Sequence, residues 1–155
     1  MKNKGFSLVE LIIVIAIMAI LAAAIAPALI RYIDKSRRSD DVAAAETINT
    51  AVQAALANEN AYDEIQGSMP TNAASVKILG SANADGTASF GGVTAPSFWE
   101  EVNSSTTGGP KLKYTKNGAN KWLIGVNGSG KPVVYVGLSA GGSLELQPNI
   151  DKSYK

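Results

Sequence analysis

From Leu11 to Ala26 every side chain is apolar, and Ala28-Leu29-Ile30 carries the run past Pro27. About 20 apolar residues suffice to cross the hydrocarbon core of a bilayer as a helix. The segment must therefore lie in lipid or in the core of an assembly. Just before it stands one carboxylate, Glu10, preceded by a short leader that bears Lys2 and Lys4 and ends in Gly5. A charge at membrane depth costs about 2.5–3.5 kcal/mol on insertion scales, which marks such an acid as a functional candidate. Nothing within the segment can neutralise Glu10, so its partner is expected on another molecule. The chain is thereby expected to be a subunit. The leader lysines favour a cytoplasmic N-terminus, but Arg31, Lys35, Arg37 and Arg38 follow on the far side, partly offset by Asp34, Asp40 and Asp41. Flanking charge alone leaves the orientation open.

The run Lys4-Gly5-Phe6-Ser7-Leu8-Val9-Glu10-Leu11 resembles the processing site of type IV pilins and pseudopilins, the class III signal peptides. The similarity is close from Lys4 to Pro27 and looser along the helix beyond. It implies that a prepilin peptidase cuts between Gly5 and Phe6, removes residues 1–5 and methylates the new amine of Phe6. Glu10 falls on the family's acidic position. The resemblance further implies a single-pass precursor in the cytoplasmic membrane, then an extracellular homopolymer, extended by an inner-membrane platform and a motor ATPase. A conventional secretory signal is cut after its apolar region. Ala22-Ala23-Ala24 could pose as such a site, but it lies inside a continuing helical pattern and leaves Glu10 unexplained.

Moving from bilayer to filament exchanges one apolar environment for another, so selectivity must come from packing and polar groups. Glu10 of an incoming subunit is expected to meet the Phe6 amine of a neighbour and set the axial stagger. Pro27 lacks a donor and crowds the preceding turn, which predicts a kink. Beyond Ile30, Val42, Ala45, Ile48, Val52, Ala55 and Leu56 fall on one helical stripe. The alanine-rich stretch Ala43–Ala57 favours helix. Together these predict one helix from about Phe6 to Asn60, roughly 80 Å long. Residues 6–30 form its hydrophobic part and residues 31–62 its amphipathic continuation.

Residues 63–155 read as a globular head. Gly, Asn, Ser and Thr dominate a loop-rich stretch, 63–110, with two short helices expected at Ala73–Leu79 and Pro96–Val102. Phe90, Phe98 and Trp99 are its expected anchors. Residues 111–147 read as an antiparallel meander with strands at Leu112–Thr115, Trp122–Val126, Val133–Val136 and Ser143–Leu146. Leu112, Tyr114, Trp122, Ile124, Val126, Val134 and Val136 alternate toward one face, which should cover the helix stripe. The fold class is α+β: a long N-terminal α-helix, transmembrane before assembly, packed on a small antiparallel β-sheet head.

The chain has neither cysteine nor histidine, which excludes disulfides, thiolate metal sites and any triad built on either residue. Many pilins staple a C-terminal loop with a disulfide; here packing, strand pairing or an ion must hold the exposed region. Removing residues 1–5 leaves 12 basic against 13 acidic side chains, so no basic field argues for nucleic-acid binding. No cofactor, metal or catalytic group is expected.

Several lookalikes are read conservatively. Gly125 to Lys131 nearly spells a phosphate-binding loop, but Pro132 replaces the required Ser or Thr and a strand follows, which predicts a hairpin. Asn103-Ser104-Ser105 and Asn127-Gly128-Ser129 match glycosylation sequons and are expected to be exposed turns. Asp63, Glu64, Asp85, Glu100, Glu101 and Asp151 are expected to be solvated, and Phe6, Tyr32 and Tyr62 to pack or anchor rather than carry electrons. The functional expectation is a major or major-like pilin serving adhesion, aggregation or twitching. The second reading is a secretion-type pseudopilin in a short envelope filament, weakened because Pro148-Asn149-Ile150-Asp151-Lys152 offers a calcium ion at most one carboxylate.

Overall fold

The computed structural model describes residues 6–106 and 108–155. The leader, and with it Gly5 of the expected cleavage site, lies outside the described residues. The chain divides into two compact units, Met1–Ser36 and Arg37–Lys155.

Helix α1 (Leu8–Ala57) runs from the apolar segment into the second unit. It stops at Ala57 because Asn58 adopts an extended conformation, φ −83° and ψ 121°, and its side chain accepts the amides of Asn60 and Ala61. That cap starts α2 (Glu59–Gln66). The single helix expected to reach Asn60 is thus two helices. An asparagine that competes for backbone donors favours a cap over a helix interior.

The head is a five-stranded antiparallel sheet of order β2-β1-β3-β4-β5. Its strands are β1 (Val76–Asn83), β2 (Gly91–Gly92), β3 (Ala119–Asn127), β4 (Pro132–Leu138) and β5 (Ser143–Gln147), with α3 (Pro96–Thr106) following β2. The last three strands and α3 lie where the pattern placed them. Two assignments need correction. The segment Ala73–Leu79 contributes to strand β1 instead of a helix, because Val76 to Ile78 pair with Asn127 to Gly125 of β3 and long-range pairing overrides weak local propensity. Leu112–Thr115 is not a strand, because the amides of Lys113 and Tyr114 are taken by Asp41 of α1 and not by a neighbouring ladder.

The core lies between the second half of α1 and the sheet. Ala45, Ile48, Val52 and Ala55 of the expected stripe are buried, with Val42 and Leu56 packed at its margin. Trp122, Ile124, Val126, Val134, Val136 and Leu146 meet them from the sheet. Phe90, Phe98 and Trp99 are buried as expected. Trp99 sits over Gly80, where an added Cβ would lie 2.5 Å from the ring. Only glycine admits the indole at that point. The ring nitrogen donates to the Val93 carbonyl at 2.9 Å.

Candidate functional site

In the first unit, Ser7 and Glu10 together start α1. The Ser7 carbonyl accepts the Leu11 amide at 3.2 Å, and the Glu10 carboxylate accepts the Ser7 amide at 2.9 Å. Ser-x-x-Glu is a helix-starting pattern in which the acid reaches back to the first residue's backbone donor. The expectation that Glu10 has no mate in its own chain is therefore corrected at the level of hydrogen bonding. It is not corrected at the level of charge, since an amide carries no counter-ion. A carboxylate has about four lone-pair sites, so Glu10 can hold Ser7 and still receive an amine.

Among the described residues of this unit none is buried. Phe6 is 83% exposed, and Leu8, Val9 and Leu11 onward to Ile30 are exposed as well. One helix of the described residues is long and apolar enough to cross a membrane, and its apolar window is wholly unburied. Pro27 lies inside the helix, which is assigned without a break around it. Its nitrogen lacks the donor that would otherwise reach the Ala23 carbonyl.

In the second unit, a cluster built on α1 holds the C-terminal segment. Asp41 is only 1% exposed and its two oxygens accept the amides of Lys113 and Tyr114, at 2.8 and 2.9 Å. Burial pushes its carboxyl above the ordinary aspartate value, against the lowering effect of those two amides. One turn earlier, Arg38 lies 5.1 Å from the Tyr114 ring centre and donates to the carbonyls of Ser153 and Lys155 at 3.2 and 3.1 Å. Tyr154 inserts beside Tyr114, edge to face at 5.7 Å, and is 4% exposed. The short 3-10 turn Lys152–Tyr154 is capped by Asp151, whose carboxylate accepts the Ser153 amide and hydroxyl and is held below the usual range by them. In a chain without cysteine, this cluster closes the C-terminal segment onto the helix. From sequence Asp41 stands out only as one of three acids that offset the basic flank of the apolar run. The overlooked signal is spacing: Asp41 lies four residues before Ala45, on the same stripe as Ile48, Val52 and Ala55.

Burial also pushes the Tyr154 phenol up to about 12. A phenol whose folded value exceeds its unfolded value of about 10 contributes stability that is intact below pH 10 and lost as pH rises toward 12. Denaturant titrations of the detergent-solubilised protein at pH 9 and pH 11.5 are expected to show this loss. Tyr154→Phe should keep the fold at neutral pH and flatten the alkaline decline. An unchanged decline in the phenylalanine variant would refute the assignment.

The lookalikes resolve into structural roles. Asn127 folds over the β3–β4 hairpin, accepting the amides of Ser129 and Lys131, as the hairpin reading expects. Asn103 belongs to α3, not an exposed turn, and its amide clamps the Phe90 backbone from both sides, accepting its N–H and donating to its carbonyl. Glu64 is not merely solvated: it accepts the Phe98 amide at the start of α3, which fixes α3 on α2. Asp85 turns onto Thr87. Among the described residues, no three or more acidic, histidine or cysteine side chains gather as a metal site. Tyr62 is half-buried, while Phe6 and Tyr32 are exposed on the apolar segment.

A family model described as the prokaryotic N-terminal methylation motif matches residues 1–26. The chain is 31% identical over 141 residues to fimbrial protein Q of Moraxella bovis, covering 84% of this chain and 90% of that one. It is 32% identical over 125 residues to the type IV major pilin protein PilE1 of Neisseria gonorrhoeae, covering 79% and 76%. A fimbrial protein of Neisseria meningitidis serogroup B is 33% identical over 131 residues, covering 79% and 73%. No solved structure matches the chain.

Proposed function

This chain belongs to the type IV pilin family, and from that premise we propose that it is a major or major-like pilin that polymerises into an extracellular filament. The observation that supports this most is the apolar half of α1, an exposed hydrophobic segment headed by one carboxylate and joined to a head with its own closed core. A monomer can satisfy that segment only in lipid. A polymer satisfies it by packing the segments of neighbours together.

In this reading a peptidase cuts between Gly5 and Phe6, and the Phe6 amine is methylated. The amine of one subunit then meets Glu10 of the next in a low-dielectric core, where an ion pair missing one partner is costly. Pro27 lets the helix bend as it leaves the membrane for the filament. The platform and motor ATPase lift each subunit, and the head serves adhesion, aggregation or twitching. No catalytic role is assigned to any residue.

Sheared surface fibres examined by electron microscopy, with N-terminal analysis of their main protein, test this proposal. The expected result is long filaments whose principal chain begins at methylated Phe6. A chain that still begins at Met1 and stays monomeric in membranes of a cell with active maturation machinery would overturn it.

A further inference from the structure

Charge within the second unit is divided along the chain. Residues 39–110 hold nine carboxylates and one lysine, Lys77, whereas residues 111–155 hold seven lysines and two carboxylates, Glu145 and Asp151. The fold mixes part of this division, pairing Lys113 with Asp40 at 3.0 Å, but preserves it at two places. Helices α2 and α3 pack on one another and lie on the β1–β2 side of the sheet, where Trp99 meets Gly80 and Val93. Their outer surface bears Glu59, Asp63 and Glu100, all exposed, with no basic residue on either helix. The C-terminal segment leaves from β5, the opposite edge, through the Asp151 amide bonded to the Glu145 carbonyl. Lys152 and Lys155 are exposed on it.

We propose that the acidic outer face of α2 and α3 docks on the lysine-bearing C-terminal segment of a second copy of this chain. The occupant follows from complementarity. Each copy presents both signs on opposite edges of its sheet, so a contact between unlike faces leaves an unlike face free at each end. Such a heterologous contact need not close and can repeat indefinitely, as a filament requires. Like-face contacts would place carboxylate against carboxylate, which opposes the wrong register. The lysines stand on a segment whose backbone is already fixed by Arg38 and Tyr154, so docking need not order it first. This inference rests on the polymerisation reading above.

The test uses the full-length chain in a cell that matures it. Asp63→Lys with Glu100→Lys makes the helix face basic, and Lys152→Glu with Lys155→Glu makes the tail acidic. Each pair should lower sheared filament yield by about tenfold and lower the salt at which filaments come apart, since exposed charges act within a Debye length of about 8 Å. All four changes together should restore yield to within about twofold of wild type. Thermal melting of the solubilised subunits separates lost docking from lost folding. Should a reversed pair fail to fold, the amide variants Asp63→Asn with Glu100→Gln are expected to show the same salt sensitivity in weaker form. Normal filaments from folded reversed or amide variants, or a fourfold variant no better than either pair, would overturn the docking proposal alone. Absence of filaments from the wild-type chain would overturn the polymerisation reading, and this inference with it.

Discussion

Glu10→Leu should yield precursor in the membrane and no filament, a loss of at least about a hundredfold in surface fibre. Leucine removes the charge penalty of about 2.5–3.5 kcal/mol that an acid carries at that depth, so the subunit becomes more comfortable in lipid. It also removes the anion that a neighbour's Phe6 amine would meet in the filament core. Both changes push the same way, toward the dispersed state, and 2.7 kcal/mol is already a factor of about a hundred in an equilibrium. Glu10→Gln separates charge from hydrogen bonding. Its carbonyl can still accept the Ser7 amide that Glu10 accepts at 2.9 Å, so the start of α1 survives while the counter-ion is gone. Glutamine is therefore expected to fall between glutamate and leucine. Ser7→Ala, which keeps the backbone amide and the charge, should leave fibre yield close to wild type. Leucine variants with normal fibres would refute an assembly role for Glu10, and a Ser7→Ala loss as deep as that of leucine would move the role from charge to helix capping.

What could be read from residues alone follows from how local each interaction is. The apolar run, the helix stripe from Ala45 to Ala55, the α3 start at Pro96 and the strands around Trp122, Val134 and Leu146 are set by periodicity within a dozen residues, and all were legible. The misread elements are those decided by a distant partner. The segment Ala73–Leu79 reads as a short helix by itself, yet the fate of its Val76–Leu79 part is fixed by β3, some 45 residues later. Leu112–Thr115 has a strand's composition, but Asp41, more than 70 residues earlier, takes its amides. A sequence shows which residues could pair with backbone donors; it does not show which donors come within reach. The candidate site divides in the same way. Glu10 and Phe6 stand out because their neighbours are so uniformly apolar. Asp41, Glu64 and Asn103 look like surface residues until the fold brings Tyr114, Phe98 and Phe90 to them.

Asp41→Ala should be the most damaging single change among the polar residues of the head. The substitution strands two amides, Lys113 and Tyr114, whose loop is half-buried against α1. Each unsatisfied donor costs about 1–3 kcal/mol, so the expected loss is about 3 kcal/mol against a total of about 5–15 for an ordinary domain. The effect should spread, because Tyr114 also receives Tyr154 and lies beside Arg38, so the C-terminal segment loosens with the loop. Asp41→Asn keeps one acceptor but turns its NH2 toward an amide, and is expected to cost about half as much. The pH dependence distinguishes the two oxygens from the charge they share. Burial raises the folded value of Asp41 above 3.8, so the folded state holds its proton more tightly than the unfolded one. This group alone therefore makes the protein more stable as pH falls through the window just above 3.8, and it withdraws that contribution as pH rises. Subtracting the asparagine variant's stability curve from the wild type's, each measured by urea unfolding between pH 3.5 and 6, should leave that slope. A difference curve of opposite sign would mean that the two amides outweigh burial and hold Asp41 ionised, in which case the clasp is strongest at neutral pH.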